Sequence, residues 1–94
     1  MKKELYNAIY HIFDEGNYLL TIKVGQVELK LYETKPDETD NVWNMGVTAN
    51  GTPYTVGELY DEDLGPGSYA ELFAGKYDVI DGLVELVYND FYKD

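Results

Sequence analysis

The chain contains no cysteine and no arginine, one serine and one histidine in 94 residues. Without cysteine there is neither a disulfide framework nor a thiolate to serve as nucleophile or metal ligand. A Ser-His-Asp arrangement would have to use Ser68 and His11. Ser68 is better explained as a helix cap, and His11 falls on the polar side of the first helical pattern, where a solvated histidine is the ordinary case. Catalytic residues are therefore not assigned. The glycines lack the spacing of a P-loop or a dinucleotide fingerprint. No apolar stretch follows Met1-Lys2-Lys3, so neither a signal peptide nor a membrane span is expected, and a cytoplasmic location is.

What the chain has in excess is negative charge and tyrosine: eighteen Asp and Glu against seven lysines, a formal charge of -11, and ten tyrosines. An apolar share of 45% with 15% aromatics argues against disorder, because disordered acidic chains lack the residues that fill a core. Residues 1–94 are expected to form one domain with a modest stability margin. The charge is uneven. Residues 1–57 hold eight acids and five lysines, whereas residues 58–94 hold ten acids and only Lys76 and Lys93. A protein this acidic repels nucleic acid and anionic membrane and attracts basic surfaces.

Periodicity predicts an α+β fold. Leu5, Ala8, Ile9, Ile12 and Phe13 share one helical face, and Gly16 stands where a left-handed cap is wanted, which predicts a helix over 3–14. From Asn17 the period changes to two, with Tyr18, Leu20, Ile22 and Val24 on one side. A two-residue turn at Gly25-Gln26, glycine first as a type II′ turn prefers, pairs Val24 with Val27, Ile22 with Leu29 and Leu20 with Leu31. The opposite face then pairs Lys23 with Glu28 and Thr21 with Lys30. Trp43, Met45, Val47 and Ala49 alternate up to Asn50-Gly51, a strong hairpin signal that sets Val47 opposite Tyr54 and Met45 opposite Val56. Pro53 restricts the last strand to an edge. Ser68 with Glu71 three residues on resembles a capping box for a short helix over 69–74. Ile80, Leu83, Val84, Val87 and Phe91 predict a final helix over 79–92. The expected architecture is an N-terminal helix, a three- to four-stranded antiparallel sheet and two C-terminal helices packed on it.

Two acidic loops invite comparison with a calcium-binding loop. Asp37-Glu38-Thr39-Asp40-Asn41 lacks the glycine and the terminal glutamate of an EF-hand loop, and Asp61-Glu62-Asp63-Leu64-Gly65 fails the same test, so no metal or cofactor is expected. Paired carboxylates could in principle do acid–base work, but with eighteen acids such pairs have no specificity. A small enzyme built on them would need a carboxylate of strongly raised pKa in a cleft.

The acids themselves form the candidate site. On the last helix Asp78, Asp81, Glu85, Asn89 and Tyr92 are expected on the side away from the apolar stripe, spaced about a 5.4 Å turn apart like a row of phosphates. Glu58, Asp61, Glu62 and Asp63 from the preceding segment and Glu71 from the short helix would extend this surface. Tyr60, Tyr88 and Tyr92 would supply packed contacts, since tyrosine buries area while offering a hydroxyl. In most domains a charged helix face is simply solvated. Here the self-repulsion imposed on a small domain weighs toward a binding role.

In charge, size and coarse order of elements the whole chain resembles the small acidic inhibitors that bacteriophages and mobile elements direct against host defence nucleases, the anti-CRISPR and anti-restriction proteins. The order of helix, antiparallel strands and two helices is similar to that of some Cas9 inhibitors. No family residue is carried over position by position. The resemblance implies a non-enzymatic DNA mimic in the cytoplasm of a bacterial host cell, binding a basic nucleic-acid-binding protein such as a Cas nuclease or restriction enzyme, and binding neither nucleic acid nor membrane directly. The alternative is an interaction module that pairs through an edge strand or the Trp43 sheet, as a homodimer or as part of a larger phage or mobile-element assembly.

Overall fold

A computed structural model describes residues 1–34, 42–55, 59–60 and 79–92. They form an α+β fold: helix α1 (Lys2–Glu15), strands β1 (Thr21–Val24), β2 (Val27–Thr34), β3 (Val42–Ala49), β4 (Thr52–Thr55) and the two-residue β5 (Leu59–Tyr60), then helix α2 (Val79–Phe91). β1 to β4 are an antiparallel meander in chain order, and β5 pairs with the start of β3. Among the described residues there are two helices, one before and one after the sheet. The short helix expected over 69–74 with its Ser68 cap, the acidic loops at 37–41 and 61–65, and the partner expected for Met45 at Val56 lie outside the described residues.

The first helix follows its periodicity. Leu5, Ala8, Ile9, Ile12 and Phe13 are buried, and Gly16 takes the left-handed cap (φ 61°, ψ 28°), donating its N–H to the Ile12 carbonyl at 3.0 Å. A left-handed residue returns the chain toward the sheet while satisfying a carbonyl of the last turn. The strand expected from Asn17 instead begins at Thr21. Asn17 accounts for the difference. Its Oδ1 accepts the Leu19 N–H at 2.8 Å and its carbonyl accepts the Leu20 N–H at 3.1 Å, so residues 17–20 are a turn. A short amide side chain competes in this way for backbone donors that a ladder would otherwise use. Tyr18 consequently leaves the apolar row and is 48% exposed.

Both hairpin turns are as the dipeptides predict. Gly25 has φ 59° while Gln26 is not in the left-handed region, the φ pattern of a type II′ turn, and Asn50 and Gly51 have φ 52° and 86°, that of type I′. The register is Val24 with Val27, Ile22 with Leu29, Lys23 with Glu28 and Thr21 with Lys30, and Val47 faces Tyr54. β4 stands at the end of the strand order, where Pro53 is tolerated.

Side chains alternate across the sheet, so one face carries Val24, Val27, Leu29, Leu31, Met45, Val47 and Ala49, all buried. Against it pack α1 and the stripe of α2 formed by Val79, Ile80, Leu83, Val84 and Val87. Ile22, Leu20 and Tyr54 seal the margins of this core. The other face, with Lys23, Glu28 and Lys30, is exposed. Gly46 on β3 is buried where β4 comes close: a Cβ there would lie inside contact distance of the Tyr54 carbonyl. The strand tolerates glycine here because another backbone occupies the side-chain position.

Candidate functional site

The described part of the candidate surface is the outer side of α2 together with the first turn of α1. Asp81, Glu85, Asn89 and Asp90 are exposed on α2, as its amphipathic pattern requires. The structure then ties several of these groups to the rest of the fold. Lys2 Nζ lies 2.8 Å from Glu85 Oε1 and 4.9 Å from the centre of the Tyr88 ring. The hydrogen bond to Glu85 is the main reason the Lys2 ammonium is held above its ordinary pKa. This bridge joins residues 83 positions apart in sequence. Both side chains are about half exposed, so the bridge is worth little to stability, and its consequence is local neutralisation of Glu85.

The tyrosines are likewise engaged. Tyr88 and Tyr92 stack with ring centres 6.1 Å apart, and both are half-buried. Tyr92 turns onto the sheet: its hydroxyl donates to the Val24 carbonyl, and it fills the space beside Gly25. Burial raises its phenol pKa. The Tyr54 hydroxyl donates to Asp90 Oδ2 at 2.7 Å, and burial followed by the Asp90 carboxylate pushes this phenol up to about 12. At neutral pH both phenols remain donors.

Of the residues singled out in sequence, Asp81, Glu85, Tyr88 and Tyr92 thus share one helix. Tyr60 lies on β5, paired with Val42. Glu58, Asp61, Glu62, Asp63, Glu71 and Asp78 lie outside the described residues. Sequence reasoning did not find Lys2, Asp90 or Tyr54 as members of this surface. Helical spacing alone puts Asp90 on the outer side of α2, whereas Lys2 and Tyr54 join it through contacts between elements far apart in the chain.

Charge is segregated between the layers. The two helices carry six carboxylates and two lysines, while the strands carry two of each, Lys23 and Lys30 against Glu28 and Glu33. The whole net charge of the described residues, -4 of the chain's -11, therefore sits on the helical layer.

Two further groups bear on chemistry. His11 is exposed, with Nε2 3.9 Å from Glu15 Oε1 one turn on. Glu33, half-buried on β2, has its carboxyl pKa raised by burial and accepts a hydrogen bond from the Tyr18 hydroxyl. That pair fastens the 17–20 turn to β2. Among the described residues no three His, Asp or Glu side chains gather to hold a metal ion, and no helix is long and apolar enough to cross a membrane.

No protein-family model matches the chain, and in the comparisons with curated proteins and with solved structures nothing matches it either.

Proposed function

We propose that this protein is a non-enzymatic inhibitor that occupies the basic nucleic-acid-binding groove of a host defence nuclease, a Cas nuclease or a restriction enzyme, in place of DNA. The observation that carries the reading is the segregation of charge: the helical layer holds the whole described net charge, and the most acidic part of the chain, residues 58–94, leads into and includes α2. An anionic face focuses the field toward a basic partner and accelerates encounter. In this reading Asp61, Glu62, Asp63, Asp78, Asp81 and Glu85 stand in for phosphates, and Tyr60 and Tyr88 pack against the partner. Tyr92 steadies Tyr88 from beneath. Glu58 and Glu71 enlarge the face, Glu71 from a short helix over 69–74 beside α2, the second of two C-terminal helices.

Binding should be measured on immobilised, purified Cas nucleases and restriction enzymes, with duplex DNA as competitor and salt as a variable. The expected result is capture that DNA displaces and salt weakens. Reversing Asp61, Glu62 and Asp63 to lysine should slow association roughly tenfold or more, because rim charges act mainly on the on-rate. Lys2→Ala, which releases Glu85, should tighten binding. Capture that DNA cannot displace, or unchanged binding by the triple reversal, overturns the proposal.

A further inference from the structure

The two edges of the sheet are not equivalent. In a two-residue hairpin the residues flanking the turn exchange both backbone hydrogen bonds, and the pairing alternates outward from there. In the β3–β4 hairpin Ala49 and Thr52 flank the turn, so Pro53, opposite Thr48, has its nitrogen directed away from β3. The proline therefore costs the ladder nothing and removes the donor that an incoming strand would need. In the β1–β2 hairpin Val24 and Val27 flank the turn, which directs the N–H and C=O of Lys23 and Thr21 away from β2. The Glu28 backbone supports this parity: its N–H donates to Asn50 Oδ1 and its carbonyl accepts the Asn50 N–H, both on the β3 side. Among the described residues no strand lies beyond β1, and its edge contains no proline.

We infer that β1 is a pairing edge for a second copy of this chain, related by a two-fold axis at Ile22. Antiparallel pairing in that register sets Thr21 opposite the partner's Lys23, whose outward backbone groups exchange hydrogen bonds on both sides of the axis. Ile22, half-buried at the margin of the core, then meets its own copy. Lysine faces threonine, and β1 contains no carboxylate, so no like charges oppose each other, whereas an axis one residue further on would set Lys23 against itself. The residues leading into β1 carry two of the large exposed apolar side chains, Tyr18 at 48% and Leu19 at 87%. Because Pro53 closes the β4 edge, the contact is isologous and stops at two chains.

The proposal is independent of the nuclease reading, and salt separates them. Two chains of charge -11 repel each other, so salt should strengthen self-association where it weakens capture by a basic partner. Sedimentation of the full chain at millimolar concentration in about 1 M salt, where the Debye length is about 3 Å, should give the mass of two chains and none larger. Lys23→Pro, which gives β1 the device β4 already has, should raise the dissociation constant roughly tenfold or more through loss of two symmetry-related donors. A second variant does not depend on that substitution folding. In this cysteine-free chain Ile22→Cys should oxidise to a covalent dimer, since facing residues of a non-hydrogen-bonded pair lie about 4.5 Å apart at Cα, within disulfide reach. A wild-type chain that stays monomeric, a Lys23→Pro variant that dimerises as tightly as wild type, or Ile22→Cys that does not cross-link overturns the proposal.

Discussion

The two hairpins have the same loop length and turn at the same end of the sheet, yet they are held by different means. The β1–β2 hairpin is written locally. Gly25 supplies the positive φ, apolar residues alternate on both sides of the turn, and Lys23 faces Glu28. The β3–β4 hairpin has an equally clear turn in Asn50-Gly51, but its integrity depends on groups elsewhere. Asn50 donates its N–H to the Glu28 carbonyl at 2.9 Å and accepts the Glu28 N–H at Oδ1 at 2.8 Å, while its Nδ2 donates to the Gln26 carbonyl at 3.3 Å. One turn thereby clamps the other. Gly46 yields its side-chain space to β4, and Tyr54 reaches Asp90 on α2. Turn dipeptides set register within a hairpin; side-chain bonds between turns and helices set how the hairpins are joined.

Four substitutions probe that difference. Gly46→Ala should be the most damaging, about 3 kcal/mol by denaturant unfolding, because the new methyl meets backbone that cannot rotate aside. Loss of less than a third of that would mean β4 moves freely away from Gly46 and the hairpin is loosely held. Asn50→Ala should cost about 2 kcal/mol, combining left-handed strain with two lost side-chain hydrogen bonds. Asn50→Gly relieves the strain while still lacking both side-chain hydrogen bonds, so a full return to wild-type stability would show that those two bonds contribute nothing. Tyr92→Phe, which deletes the hydroxyl bonded to Val24 and so tests the tie of the first hairpin to α2, should cost about 1 kcal/mol.

Tyr54→Phe should have the smallest effect at neutral pH and a visible one in base. The Tyr54 phenol is raised from 10.0 to about 12 in the folded protein, so the folded state binds its proton more tightly than the unfolded state does. Its contribution is fully present below pH 10 and is lost as pH rises toward 12. Thermal unfolding of wild type and variant across that window should show a steeper decline for wild type. Parallel curves would mean that the phenol is solvated and the contact with Asp90 is incidental.

Much of the frame could be read in advance. The helix expected over 3–14 is Lys2–Glu15 with its cap at Gly16, both turns have the expected φ signs, and the last helix ends at Phe91 rather than one residue later. The error at β1 has a local cause, since Asn17 diverts four residues into a turn that period-two hydrophobicity alone conceals. The candidate surface was far less visible. Amphipathic spacing located Asp81 and Glu85 on the outside of α2, but the pairing of Glu85 with Lys2 and the inward turn of Tyr92 arise from contacts across most of the chain length.

By itself the sequence determined the elements, their turns and the sign of the field, because periodicity, capping and charge are properties of neighbouring residues or of simple sums. The tertiary structure alone decided which layer carries the described charge, which acids and tyrosines are already engaged, and which strands stand at the ends of the sheet among the described residues. Those outcomes depend on how helices and hairpins dock, and docking brings together backbone and side-chain groups that no local pattern relates.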